Sequence, residues 1–202
     1  MAAFNEAGHA VAAYVLRRDL DQVSIADGQR YAQAGADRAP LLDVRPKVVR
    51  ELVILLAGPA AVAQITQAGG DRDSEDVRAD RWRAAHLATM LDDLHATANP
   101  PIGLDRFIEQ VAERAGALIE AAWPAVEELA RDLVDEESIE GREAGRIVEQ
   151  ALSDTPLARY GPCSNYLHVI NAYLLPDDSL DDESLIDFDG LADALKKVER
   201  LR

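Results

Sequence analysis

Phe4-Asn5-Glu6-Ala7-Gly8-His9-Ala10-Val11-Ala12-Ala13-Tyr14 is the stretch on which the reading of this 202-residue chain turns. Phe4, Ala7, Val11 and Val15 recur at helical spacing, so Ala2 to Leu16 reads as an amphipathic helix ended by Asp19-Leu20-Asp21. Asn5, Glu6 and His9 ride on that helix. A Glu-x-x-His pair by itself is most often a surface pair, and its weight depends on the rest of the chain.

Gln22-Val23-Ser24-Ile25 alternates polar and apolar residues as a half-buried strand does, Asp27-Gly28 makes a turn, and Tyr31 to Gly35 returns as a second short strand. Pro46 suits a helix N1 position, and Val48, Val49, Leu52, Val53, Leu55 and Leu56 make the helix after it a central one. Pro59, which brings no N–H and crowds the preceding turn, is expected to kink or restart that helix, and Gly69-Gly70 to stop it. Residues 71–76 read as a polar loop leading into a helix from Val77 to Leu94, and Asn99-Pro100-Pro101 as a linker. Leu104, Ile108, Val111, Ala115, Leu118 and Ile119 form one apolar stripe and Pro124, Val126, Leu129, Leu133 and Val134 a second. With Arg142 to Leu152 they suggest a three-helix bundle. Ser153 to Arg202 differs in character: it holds several prolines, an acidic patch (Asp177, Asp178, Asp181, Asp182, Glu183) and a last helix near Gly190 to Leu201.

Composition narrows the function classes. Hydrophobic residues make up 48% and charged residues 29%, a globular balance. The 21 Lys and Arg against 37 Asp and Glu leave a net charge of −16, which repels phosphate backbones and anionic lipid heads. No nucleic acid and no membrane are expected as partners. The longest apolar run, Leu52 to Ile65, is interrupted by Gly58-Pro59, and the N-terminal residues do not read as a signal peptide, so a cytoplasmic location is expected. Cys163, the single cysteine, forms no internal disulfide and has no basic neighbour to make it a thiolate; Trp82 and Trp123 read as core or packing residues. The acidic patch lacks the spacing of a calcium loop and reads as a solvated linker.

In the His-Glu-x-x-His zinc helix, two imidazoles four residues apart grip the metal and the Glu activates its bound water. Glu6 and His9 stand in the corresponding places here, with Asn5 for the first imidazole. The surrounding run resembles the motif helix of the FtsH-type zinc metalloproteases, His-Glu-Ala-Gly-His-Ala-Val. Val23-Ser24-Ile25 sits where that family has a strand, and Leu55-Leu56-Ala57-Gly58-Pro59-Ala60-Ala61 is similar to its Leu-Ala-Gly-Arg-Ala-Ala-Glu helix. Residues 69–76 resemble its loop carrying the third ligand, and Trp123 to Leu152 its closing helices. The likeness spans residues 1–152, divided into the motif helix and strands (1–98) and a helical bundle (102–152), with 153–202 an acidic extension.

The resemblance implies a mainly α fold with a small β element, zincin-like in the FtsH-type manner. It implies Glu6 as general base and a metal set of His9, position 5 and an Asp, placed at Asp76 with Asp73 as the alternative. A carboxamide is a poor zinc donor, so Asn5 leaves two strong ligands where catalytic zinc normally has three. His86 cannot replace the missing imidazole, lying about 15 Å along the helix from Asp76 at 1.5 Å per residue; His95 is further still, and His168 would have to arrive by tertiary folding. A phosphate-binding loop of the Gly-x-x-x-x-Gly-Lys-Ser/Thr kind is absent, so no ATP is expected. The expected function is that of a metallopeptidase-like protein with a degenerate zinc motif, weak or inactive as a protease, binding a peptide, an unfolded segment or a protein partner, or assembling as a homo-oligomer. The alternative is an active zinc metalloendopeptidase working without ATP, with Asn5 or a residue such as His168 completing the site.

Overall fold

The computed structural model describes residues 1–26, 31–37, 44–66, 74–89, 103–155 and 157–158. In chain order these form α1 (Ala2–Val15), β1 (Arg18–Ser24), β2 (Tyr31–Asp37), α2 (Val44–Thr66), α3 (Glu75–Thr89), α4 (Leu104–Ala121), α5 (Trp123–Glu136), β3 (Ser138–Glu140) and α6 (Gly141–Leu152). The architecture is mainly helical with a small antiparallel sheet of order β2-β1-β3. Cys163, His95, His168, Asp73, the Asp27-Gly28 turn, the Asn99-Pro101 linker and the acidic patch lie outside the described residues.

α1 is the axis of the domain. Ala3, Ala7, Ala10, Val11, Ala12, Ala13 and Leu16 are buried on it, which the run of small side chains permits, because helices can then approach from several sides. α2, α5 and the sheet all pack against it. Phe4 of α1 stacks on Trp123 of α5, with ring centroids 5.8 Å apart. The helices after residue 103 therefore do not form a bundle of their own: α4 lies mainly on α2, α5 on α1, and α6 on α5 and β1.

Two left-handed residues turn helices into strands. Arg17 (φ 62°) follows the last turn of α1 and starts β1, while Glu137 (φ 60°) ends α5 and donates its N–H to Leu133 O before β3. β3 went unanticipated because a three-residue strand with one apolar side chain, Ile139, has no periodicity to read. It pairs Gln22, Val23 and Ser24 of β1 with Glu140, Ile139 and Ser138. β2 pairs with the other edge of β1, so its own outer edge bears no strand among the described residues.

Gly141 opens α6 hard against β1. A Cβ there would fall 1.7 Å from Leu20 O and 2.2 Å from Leu20 C, backbone atoms that cannot swing aside. We expect Gly141→Ala to cost about 2 kcal/mol through overpacking, measured by urea unfolding; a loss below about 0.5 kcal/mol would show that the junction yields easily.

α2 does not restart at Pro59, one of the two outcomes expected there. It is one helix through Gly58 and Pro59, because its packing against α1, α3 and α4 outweighs the hydrogen bond that Pro59 cannot make. Its Val48–Thr66 portion is thus long and apolar enough to cross a membrane by length and composition, correcting the reading of an interrupted run; 56% of that window is buried inside the domain.

Candidate functional site

Asn5, Glu6 and His9 all face inward from α1 and are 2%, 5% and 8% exposed. The acid that meets them is Asp80 of α3, 4% exposed, and not Asp76 one turn earlier. Asp76 is half-buried and near enough to raise the Glu6 pKa, but the contact with His9 belongs to Asp80. Asp76 stands at the entrance of α3 and Asp80 one turn further in. Ser74 caps α3, accepting the Val77 N–H at its Oγ and the Arg78 N–H at its carbonyl, so the helix starts at Glu75 and Asp76 lies in its first turn. A sequence signal for Asp80 did exist. It shares an inward stripe with Val77, Ala84 and Ala88, and an acid in an apolar stripe needs a buried partner.

His9 is held from both sides. Its Nδ1 lies 2.8 Å from Ile54 O of α2 and its Nε2 lies 2.9 Å from Asp80 Oδ2. Both neighbours are hydrogen-bond acceptors, an arrangement that favours an N–H on each ring nitrogen and so the imidazolium. Burial pushes the His9 pKa down, but the hydrogen bond and charge of Asp80, with Glu6 and Ile54 O assisting, leave it raised. Burial likewise pushes the Asp80 carboxyl up, and His9, Asn5 and Arg83 overcome that and hold it low. Arg83 Nη1 stands 3.2 Å from Asp80 Oδ1, the other carboxylate oxygen. Glu6 ends up raised: desolvation dominates, and the pull of His9 and Asn5 does not cancel it.

Asn5 ties the group together. Its Nδ2 donates to Asp80 Oδ2 at 3.0 Å and, more weakly, to Glu6 Oε1 at 3.4 Å, and it lies 3.2 Å from His9 Nε2. The reverse amide orientation would set two oxygens against each other at the Asp80 contact. Asn5 Oδ1 points the other way, buried and with no hydrogen-bond partner. Gly58 makes the crowding possible, since a Cβ there would lie 2.4 Å from His9 Nε2 and 2.8 Å from Asn5 Oδ1. No family model matches the chain, and no curated protein does.

The zinc implied by the motif can be judged on this donor set. His9 Nε2, Asp80 Oδ2 and the Asn5 amide lie 2.9 to 3.2 Å from one another, close to the spacing of three ligands on one metal at bond lengths of about 2.0–2.2 Å. The third corner, however, presents an N–H with no lone pair to give, and the amide oxygen faces away. The side chains do not fit zinc as they stand. Among the described residues, no group of three or more His, Cys, Asp or Glu side chains is set to hold a metal.

The other candidates lie apart. His86 stacks on Trp82 with centroids 5.7 Å apart, on the solvent side of α3. Trp82 is 69% exposed, so it is a surface residue and not part of the core, contrary to its reading as a packing residue; Trp123 is half-buried.

Proposed function

We propose that the chain is a metallopeptidase-like protein of FtsH type in which a metal-free ion pair has replaced the zinc centre, and that it binds an extended peptide without hydrolysing it. The observation that carries this reading is the Asn5 amide nitrogen, which donates to Asp80 and Glu6 at the corner where a metal would need a lone pair. Without a third strong ligand there is no ordered, activated water for Glu6 to deprotonate. Peptide binding draws support from β2, whose outer edge bears no strand among the described residues and which lies beside the motif helix. An extended peptide can add there as a further strand, gaining backbone hydrogen bonds. The net charge of −16 favours a cationic one.

Protein purified without chelator should carry well under one zinc per chain and leave a reduced, carboxymethylated polypeptide uncut. A cationic extended peptide should slow deuterium exchange at the amides of residues 31–37. One zinc per chain, with cleavage abolished by Glu6→Gln, would establish the zinc metalloendopeptidase instead.

A further inference from the structure

The exposed face of α3 opposes the charge of the chain. From Arg78 to Thr89 its only acid is Asp80, which is buried, while Arg78, Arg81 and Arg83 are exposed and Trp82 stands out beside His86. At about 100° per residue, Arg81, Arg78, Trp82 and His86 follow one another round about 140° of the helix. Arg78, Trp82 and His86 lie as a ridge on the side away from Val77, Ala84 and Ala88, and Arg81 stands at the edge of the buried face. Arg81 also borders an open groove of about 570 Å³, floored by Leu56, Pro59 and Ala63 of α2 and Ala112 and Gly116 of α4, with Glu120 on its rim. An exposed Trp on the ridge and an Arg at the mouth of a partly apolar groove are the residue types that carry binding energy in protein interfaces.

We propose that this ridge and groove dock an acidic, apolar-bearing polypeptide segment, and that the occupant is the chain's own Asp177–Asp189 stretch. Charge complementarity selects it. Asp177-Asp178-Ser179-Leu180-Asp181-Asp182-Glu183-Ser184-Leu185-Ile186-Asp187-Phe188-Asp189 has seven acids and no Lys or Arg, with Leu180, Leu185, Ile186 and Phe188 among them. The acids meet Arg78 and Arg81, and the apolar side chains meet Trp82 and the small-residue floor of the groove. The 18 residues between Ala158 and Asp177 can span up to about 60 Å when extended. Tethering makes the contact intramolecular, at an effective concentration on the order of millimolar. Nucleic acid is the competing anionic occupant, disfavoured because the net charge of −16 repels a phosphate backbone.

The test uses the full chain with the photo-crosslinker p-benzoylphenylalanine in place of His86, which keeps an aromatic group beside Trp82. Irradiated at low micromolar concentration, it should give intramolecular adducts that map by mass spectrometry to residues 177–189. Their yield should fall at least fivefold in 0.5 M NaCl and in the Arg78→Glu/Arg81→Glu variant, and recover when Asp181→Lys/Asp182→Lys is added. Adducts that map elsewhere, that join two chains, that are displaced by a single-stranded oligonucleotide, or that ignore the charge reversals would overturn the proposal. None of these readouts involves zinc or the Asn5 site.

Discussion

Asn5→His is expected to give a protein that holds about one zinc per chain, against well under one for the unchanged sequence on the proposed reading. Position 5 sits four residues before His9, so the introduced imidazole joins His9 on the same face of α1, opposite Asp80. Gly58 faces that position and adds no side chain to it, since a Cβ there would fall against Asn5 Oδ1 and His9. Two imidazoles and one carboxylate make the three-ligand set of a catalytic zinc with one position left open, and Glu6 stands next to it. His9 is already oriented for that role, because Nδ1 bonded to Ile54 O leaves Nε2 to face the metal. The gain in zinc affinity should be about 100-fold or more, since loss of a mere hydrogen-bond partner of a ligand costs 10–100-fold. Metal analysis and competition against a chromophoric chelator read the effect. An unchanged zinc content would mean that the geometry around position 5, and not the single side chain, separates this protein from a zinc site.

Asp80→Ala should remove about 3–5 kcal/mol of stability near pH 5.5, because it strips the partner from a buried imidazolium. The cost should depend on pH in both directions. The folded His9 pKa is raised, so its share of the pair's stabilisation is fully present below the ordinary value of 6.5 and is lost as pH rises through the higher folded value. The folded Asp80 pKa is lowered, so its share is present above the ordinary value of 3.8 and is lost as pH falls through the folded value. The difference between wild type and variant is therefore widest between about pH 4 and 6.5 and narrows on either side. At high pH the variant has a satisfying alternative: neutral His9 donates from Nδ1 to Ile54 O and accepts at Nε2 from Asn5 Nδ2. Glu6, raised by burial, is present in both proteins and enters the comparison mainly through its coupling to this pair. Urea unfolding at pH 3, 5.5 and 9 measures the three regimes. A pH-independent difference, or one below about 1 kcal/mol at pH 5.5, would show that the pair contributes no specific stabilisation.

Much of the architecture is local and therefore visible in the chain. α1, α4, α5 and α6 each carry an apolar stripe or small-residue run at helical spacing, and their observed bounds lie within two residues of the periodicity. β1 is longer than its alternating core, running back to Arg18, because β2 and β3 pair along it. Start positions set by capping were less legible. Ser74 moves α3 two residues earlier than its apolar pattern, which places Glu75 and Asp76 in its first turn.

The residue types of the motif helix, the absence of a second imidazole at position 5 and the acidic balance of the chain are properties of the polymer alone. Which acid answers His9 is not, because Asp76 and Asp80 lie on the same helix and differ by one turn. That choice depends on the depth at which α3 docks across α1 and on Gly58 letting the imidazole lie against α2. The solvent face of α3 is likewise a tertiary decision: Trp82 is apolar enough for a core, but burial of Val77, Asp80, Ala84 and Ala88 leaves it on the opposite side, in water.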